Sequence, residues 1–306
     1  MKVALVTADN ISLGLQNSVR RIYKYLNRKG VQAQIACTPL PTDVDIFHAF
    51  YASRTGYSTV QHAHTYNIPV VLRDDFYFDS LSIPDFQKAL LQADAVTVNL
   101  PRLKIYAPEK AVVIPNGIDP EIFEDGIAEL DLIPPVIATS GYIRPSKNFD
   151  TLCRAVAHFQ KSFYCTLLVI GDGIGVQETI NKHQINNYHI TGILEHKYVL
   201  QYLRLANVYL TTSHHEGCSN AVLEAMYCGL PVVATECLRD LVDDTCSTDN
   251  YRDLADLIEV KLQNQFEGEF NHQKILSCYT ANQEADELIT LYERCITEKS
   301  IPKTAC

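Results

Sequence analysis

Two carboxylates stand eight positions apart in E-G-C-S-N-A-V-L-E-A-M, Glu216 and Glu224, with a glycine and three small or polar residues following the first. The apolar run Val208–Thr211 reads as a strand that enters Thr212-Ser213-His214-His215 and then this stretch. Ser219 or Asn220 is the expected N-cap of a helix over 221–228. A helix that starts after a parallel strand offers unpaired backbone N–H groups and a partial positive charge, a ready site for phosphate. Gly217 would let the backbone approach a ligand. Glu216 precedes the cap. Glu224 falls in the second turn, where helical side chains tilt back toward the N-terminus. Carboxylates accept hydrogen bonds and would receive them from hydroxyls, not from phosphate. Phosphate at the helix end with hydroxyls at the acids matches a nucleotide-sugar. Equally, a glutamate near a helix N-terminus gains about 0.3–1 kcal/mol from the dipole and needs no ligand.

A diphosphate calls for more positive charge than a helix end supplies. S-G-Y-I-R-P-S-K-N-F-D, Ser140 to Asp150, follows the strand-like run 136–139 with Gly141 in the turn and Arg144 and Lys147 three apart before the next helix. Arginine grips phosphate oxygens with two parallel bonds, and lysine adds a point charge. As a bland alternative, the pair is a solvated loop. Three other signals are set aside. G-D-G-I-G-V, Gly171 to Val176, lacks the third glycine and the acid of a dinucleotide fingerprint. Asp43-Val44-Asp45 leads straight into a strand and reads as a turn. His62, His64, His214 and His215 have no partner set for zinc, and no metal site is expected. His48 is expected to pack or hydrogen-bond near the cleft floor.

These residues need a scaffold, and the pattern supplies one. Short apolar strands alternate with helical periodicity over 3–7, 16–28, 31–36, 46–50, 56–66, 69–72, 84–91, 95–100 and 111–114, then break at P-N-G-I-D-P, Pro115 to Pro120. The alternation restarts over 136–139, 149–159, 166–171, 176–182, 189–191, 197–205, 208–211, 221–228 and 231–234, and the last sixty residues read as helical. Short buried strands separated by helices mean parallel sheets covered on both faces. The expected architecture is α/β: two Rossmann-like open parallel-sheet domains, 1–117 and 118–306, facing across a cleft, with the last helix expected to pack back on the first. Open sheets of this kind bind ligands at the carboxyl ends of their strands.

Composition narrows the class. The 306 residues are 47% hydrophobic and 20% charged, ample for two cores. A net charge of −10 disfavours nucleic acid as a partner. The charge is uneven: 12 basic and 9 acidic residues up to Gly117, against 14 and 27 beyond it. Part of the basic excess sits in one helix, where Arg20, Arg21, Lys24, Arg28 and Lys29 could form a weak peripheral contact with an anionic membrane, or simply a solvated face. No run approaches the roughly 18 apolar residues of a membrane span, and Met1–Val6 is too short for a signal peptide. Ten scattered cysteines without a C-x-x-C pair point to a reducing cytoplasm.

Four signals in order (Asn116-Gly117-Ile118-Asp119 with Phe123, the Arg144/Lys147 loop, Leu167 to Gly173, and the Glu216/Glu224 stretch) resemble the retaining glycosyltransferases of family 4, the glycosyl transferases of group 1 with the GT-B fold. The match covers about 110–240. The first half is similar more weakly, through Gly14, Asp45 to Phe50 and Pro69 to Asp75. The resemblance implies that Arg144 and Lys147 hold the donor diphosphate, that Gly141, Gly171 and Gly217 line the donor, and that Gly14 approaches it from the first domain. It further implies that Glu224 binds the ribose, that Glu216 contacts the transferred sugar, that backbone groups of Cys218, Ser219 and Asn220 meet the sugar and phosphate, and that Ile193 and Leu194 seat the base. Asp75 falls where many relatives carry a catalytic-region histidine. The expected activity is retaining transfer of a sugar from a nucleotide-sugar, a UDP-sugar first, to a glycan, glycolipid or small molecule, with no cofactor or metal required and no obligate protein partner. A sugar-nucleotide epimerase or hydrolase on the same fold would convert the donor with no acceptor added. A non-catalytic nucleotide-sugar-binding protein would turn nothing over, and a dehydrogenase would bind NAD.

Overall fold

The computed structural model describes residues 1–8, 13–50, 54–73, 84–107, 109–264 and 266–301. The chain divides into two compact units, Met1–Gly117 with Thr280–Cys306, and Ile118–Tyr279.

In the first unit, six parallel strands are ordered β2-β1-β3-β4-β5-β6: β1 Lys2–Val6, β2 Gln32–Ala36, β3 Ile46–Phe50, β4 Val70–Arg73, β5 Ala95–Val98 and β6 Ala111–Val113. The central strands β3, β4 and β5 are buried along their whole length, which is why their sequences read as continuous apolar runs instead of alternating ones. Helices α1 Leu13–Arg28, α2 Arg54–Thr65 and α3 Pro84–Gln92 connect them. One core joins Val19, Ile22 and Leu26 of α1 to Leu288, Leu291 and Tyr292 of the C-terminal helix. His48 lies in it, fully buried, with Nδ1 2.6 Å from the Tyr292 hydroxyl. Desolvation, with Arg73 nearby, pushes its pKa well below the ordinary histidine value, so the ring is neutral.

A buried knot closes this unit. Glu284 Oε2 accepts from Arg21 Nε (2.9 Å) and from the Gly117 amide (3.1 Å), while Oε1 accepts from Arg73 (3.0 Å). Arg73 also donates to the Asn116 side chain. Arg21 is therefore not part of an outward basic face: its partner is a carboxylate 263 positions away, and burying the guanidinium is tolerable only because it is paired. Lys29 is likewise paired, to Asp286 at 2.8 Å. The exposed basic residues of the helix reduce to Arg20 and Arg28, with Lys24 partly covered.

In the second unit the order is β12-β11-β10-β7-β8-β9, all parallel: β7 Val136–Ser140, β8 Thr166–Ile170, β9 Tyr188–Ile190, β10 Val208–Leu210, β11 Val232–Thr235 and β12 Thr245–Cys246. Numbered from its own first strand this is 6-5-4-1-2-3, the doubly wound order, and its direction reverses between β7 and β10. Helices α4 Phe149–Phe159, α5 Val176–Lys182, α6 Val199–Leu203 and α7 Asn220–Tyr227 make the crossovers. α8 Tyr251–Gln263 and α9 Glu267–Cys278 follow, before α10 Ala281–Ser300 returns to the first unit, opened by a Thr280–Gln283 capping box. The expected helix over 197–205 is a 3₁₀ turn, His196–Tyr198, followed by the short α6. The two-residue β12 has no counterpart in the sequence pattern.

Asp43 and Asp45 do form a turn. They hold the side-chain and backbone nitrogens of Lys2, each at 2.7 Å. The nine described cysteines are free thiols.

Candidate functional site

Within the second unit, the site residues named from the sequence follow the carboxyl ends of neighbouring strands. Gly141, Arg144 and Lys147 come after β7, Gly171 after β8, Ile193 and Leu194 after β9, and Glu216 to Asn220 after β10. They straddle the switch point between β7 and β10, where diverging crossovers leave a crevice in a doubly wound sheet.

The loops after β7 and β8 are zipped together. The Gly141 amide donates to the Ile170 carbonyl (2.9 Å), the Ile143 amide to Asp172 (2.8 Å) and the Ile174 amide to Ile143 (2.9 Å). A Cβ on Gly171 would run into the Gly141 carbonyl, and one on Gly173 into Ile143. G-D-G-I-G is thus a close-packing device between backbones, and Gly171 adopts φ +135° to make it. Gly141 itself turns at φ +107°. The exit of β10 is stapled to the basic loop as well: Thr212 Oγ1 donates to the Asn148 carbonyl (2.9 Å) and the His214 amide to Ser146 (3.0 Å).

That stapling brings the two charges together. Lys147 Nζ lies 2.5 Å from Glu216 Oε1, which also accepts from Ser213 Oγ at 3.1 Å. Both side chains are mostly covered, 18% and 10% exposed, so the pair is held in a low-dielectric setting. Burial alone would lower the Lys147 pKa, but the Glu216 carboxylate holds it above the ordinary lysine value. Lys147 is therefore a fixed cation. Tyr209, fully buried on β10, supports the same corner, with its hydroxyl 3.1 Å from Ser140 Oγ and 3.3 Å from the Ser140 amide. Burial raises its own pKa, so it stays a neutral phenol.

Ser219 occupies the N-cap position of α7 with extended backbone (φ −67°, ψ 116°), yet its side chain makes no capping bond. The start of a helix carries a partial positive charge that favours an anion nearby. Each carboxylate has its own cation or donor: Glu224 Oε1 lies 2.7 Å from His196 Nε2. Sequence reasoning missed His196, Ser213, Thr212 and Tyr209. Only His196 carried a signal, a histidine at the start of a helical turn four residues after Gly192.

Gly14 lies in the first unit, exposed at the second residue of α1, after β1 at that sheet's own switch point. Asp75 falls outside the described residues.

Because Glu216 already occupies Lys147, removing its charge should free the cation for an anion. Glu216→Gln is expected to bind inorganic pyrophosphate about tenfold more tightly than the wild type, read by calorimetry. Unchanged or weaker binding would show that Lys147 does not face the anion.

Residues 134–264 match the family described as Glycosyl transferases group 1. A phosphatidylinositol N-acetylglucosaminyltransferase subunit from Homo sapiens is 33% identical over 134 residues, 42% of this chain and 27% of that protein. Sucrose-phosphate synthase from Thermosynechococcus elongatus superposes with a TM-score of 0.83 at 15% identity, over 97% of this chain and 99% of that one. The fold is GT-B. Anabaena Alr3699/HepE in complex with UDP and glucose shares it, with a TM-score of 0.74 at 15% identity over 96% of this chain and all of that one (100%). The chain spans between 18% and 47% of the length of the curated relatives it matches. No helix among the described residues is long and apolar enough to cross a membrane.

Proposed function

We propose that this chain is a retaining glycosyltransferase of family 4, acting on a nucleotide-sugar. The observation that carries the reading is the Lys147–Glu216 pair at the switch point, beside the uncapped start of α7 and within the matched group 1 segment. In this reading Arg144, Lys147 and the α7 amides stabilise the negative charge that grows on the leaving nucleoside diphosphate, preorganised electrostatics of the kind that usually dominate such chemistry. The cation role is filled by side chains, so transfer needs no metal and no cofactor. Glu216 contacts the transferred hexose, Glu224 the ribose, and Ile193 and Leu194 the base. The bond between the anomeric carbon and the diphosphate oxygen breaks as the acceptor hydroxyl bonds to that carbon from the same face, and its proton leaves with the diphosphate. A UDP-sugar is the first candidate, in keeping with the UDP held by the structural neighbour HepE. The similar proteins include sucrose-phosphate synthase and a human protein named for phosphatidylinositol, which keeps both small and lipid-linked acceptors in view. The acceptor belongs to the first unit, with Asp75 and Gly14 on that side. The protein works in the cytoplasm, and Arg20, Lys24 and Arg28 give it weak peripheral contact with an anionic membrane face.

Thermal unfolding with UDP, GDP, ADP and NAD, on the wild type and on Glu224→Ala, tests this first. A nucleoside diphosphate at about 100 times its Kd should stabilise the wild type by about 2.7 kcal/mol, and the variant should lose that gain. Stabilisation by NAD alone, or by no nucleotide, would sink the proposal.

A further inference from the structure

A ribose-binding carboxylate must be held in one orientation, and a glutamate does not hold itself. The terminal torsion of a glutamate side chain is broad and roughly two-fold, so position on a helix leaves the two oxygens undirected. Glu224 sits in the second turn of α7 and is 6% exposed, yet the side chain that holds it lies on a different element. His196 opens the 3₁₀ turn His196–Tyr198 and brings Nε2 to 2.7 Å from Oε1. An ionised carboxylate only accepts, so the imidazole donates, and a neutral His196 carries its proton on Nε2. Its ring is in turn braced by Phe123, edge-on with ring centroids 5.0 Å apart and planes at 72°. Glu224 Oε2 makes no hydrogen bond among the described residues, and that oxygen is left to face a hydroxyl.

His196 also shares a loop with the proposed base seat. Gly192 turns the chain at φ +71° directly after β9, Ile193 and Leu194 follow, and His196 comes two residues later. Ile193 is 78% exposed, so nothing in the unit covers it. One short loop therefore presents an apolar edge and, at its end, the donor that aims the carboxylate.

We propose that His196 is a positioning residue that fixes Glu224 and so sets discrimination between ribo- and deoxyribonucleotides. The proposal rests on the donor-site reading above and deepens it. With Oε1 tied to His196, Glu224 presents Oε2 in one direction and accepts from a ribose hydroxyl. A site built around a hydroxyl rejects a ligand that lacks it, because the buried acceptor is then left unpaired. Without His196 the carboxylate turns freely and the preference falls away.

The test is calorimetric binding of UDP, GDP and ADP, each with its 2′-deoxy form, to the wild type, His196→Ala, His196→Gln, Glu224→Ala and the double variant. The wild type should favour the ribonucleotide by about tenfold or more. His196→Ala should lose most of that ratio while still binding the deoxy form like the wild type. His196→Gln, whose amide nitrogen can reach the place of Nε2, should restore it. The double variant should be no worse than Glu224→Ala, as expected of two residues acting through one contact. If His196→Ala keeps the ribose preference, the inference is wrong. Equal loss of ribo and deoxy forms that glutamine does not rescue marks a merely structural histidine and overturns it as well. If Glu224→Ala loses the preference and His196→Ala does not, the donor site stands and only the role of His196 fails. A wild type that binds no nucleotide overturns both.

Discussion

Lys147→Ala is expected to lower kcat/KM for sugar transfer by about 10²–10³-fold, the usual cost of removing one preorganised group that stabilises developing charge. Two effects act in the same direction. The variant loses a mostly covered cation held in position by Glu216. It also removes the lysine counter-ion of the Glu216 carboxylate, 10% exposed, at the place where the proposed donor phosphate would sit. Ser213 still holds that carboxylate in position, so the negative charge does not swing away. Lys147→Arg should recover only part of the rate, because a planar fork does not fit the position of a point charge. Steady-state kinetics with saturating acceptor decide the matter. A loss below about fivefold would remove Lys147 from the chemistry.

The largest effect on stability is expected at Glu284. Glu284→Ala leaves Arg21 and Arg73, 9% and 4% exposed, with no carboxylate between them. Breaking a buried pair in this way typically costs about 3–5 kcal/mol. A fitting control is Asp43→Ala, which removes a solvent-screened pair with Lys2 that is 45% and 90% exposed and should leave the unfolding midpoint almost unchanged. Burial alone would raise the Glu284 pKa, but Arg21, Arg73 and the Gly117 amide hold it below the ordinary carboxyl value of 4.5. The sign follows: this carboxylate contributes its full stability above that value and loses it as pH falls through the lower folded value. Urea unfolding of both variants at neutral pH and near pH 4 checks the magnitude and the sign. A Glu284→Ala midpoint that matches the control would show the knot to be dispensable.

Much of the scaffold can be read in the chain. Ile46–Phe50 and Val70–Arg73 stand out because fully buried parallel strands read as mostly apolar runs, here interrupted only by His48 and ended by Arg73. The elements most easily missed are those set by neighbours. Thr245–Cys246 has no pattern of its own and is a strand only because Ala234 and Thr235 pair with it. The donor-side loops are legible as separate positive and negative stretches, but not as a pair: Lys147 and Glu216 are 69 positions apart. Arg21 misleads for the same reason. Helical spacing places it beside Arg20, while a carboxylate near the other end of the chain pulls it inward. Local sequence encodes periodicity and caps, and it carries no signal for ion pairs that exist only after the sheets assemble.

The path of the chain has a consequence for how the protein can be made. Gly117 packs so tightly on the start of α10 that a Cβ there would lie 2.5 Å from the Ala281 nitrogen. The first unit's core includes Ala285, Leu288, Leu291 and Tyr292. During synthesis, strands β1 to β6 thus wait for α10, whereas Ile118–Tyr279 is a single uninterrupted stretch that has all its residues before α10 is made. The half that is translated second is the half that can finish folding first. A chain with residues up to 279 released from the ribosome but α10 still withheld would carry a complete second unit tethered to an open, unsealed sheet, the stage at which a chaperone has the most to protect.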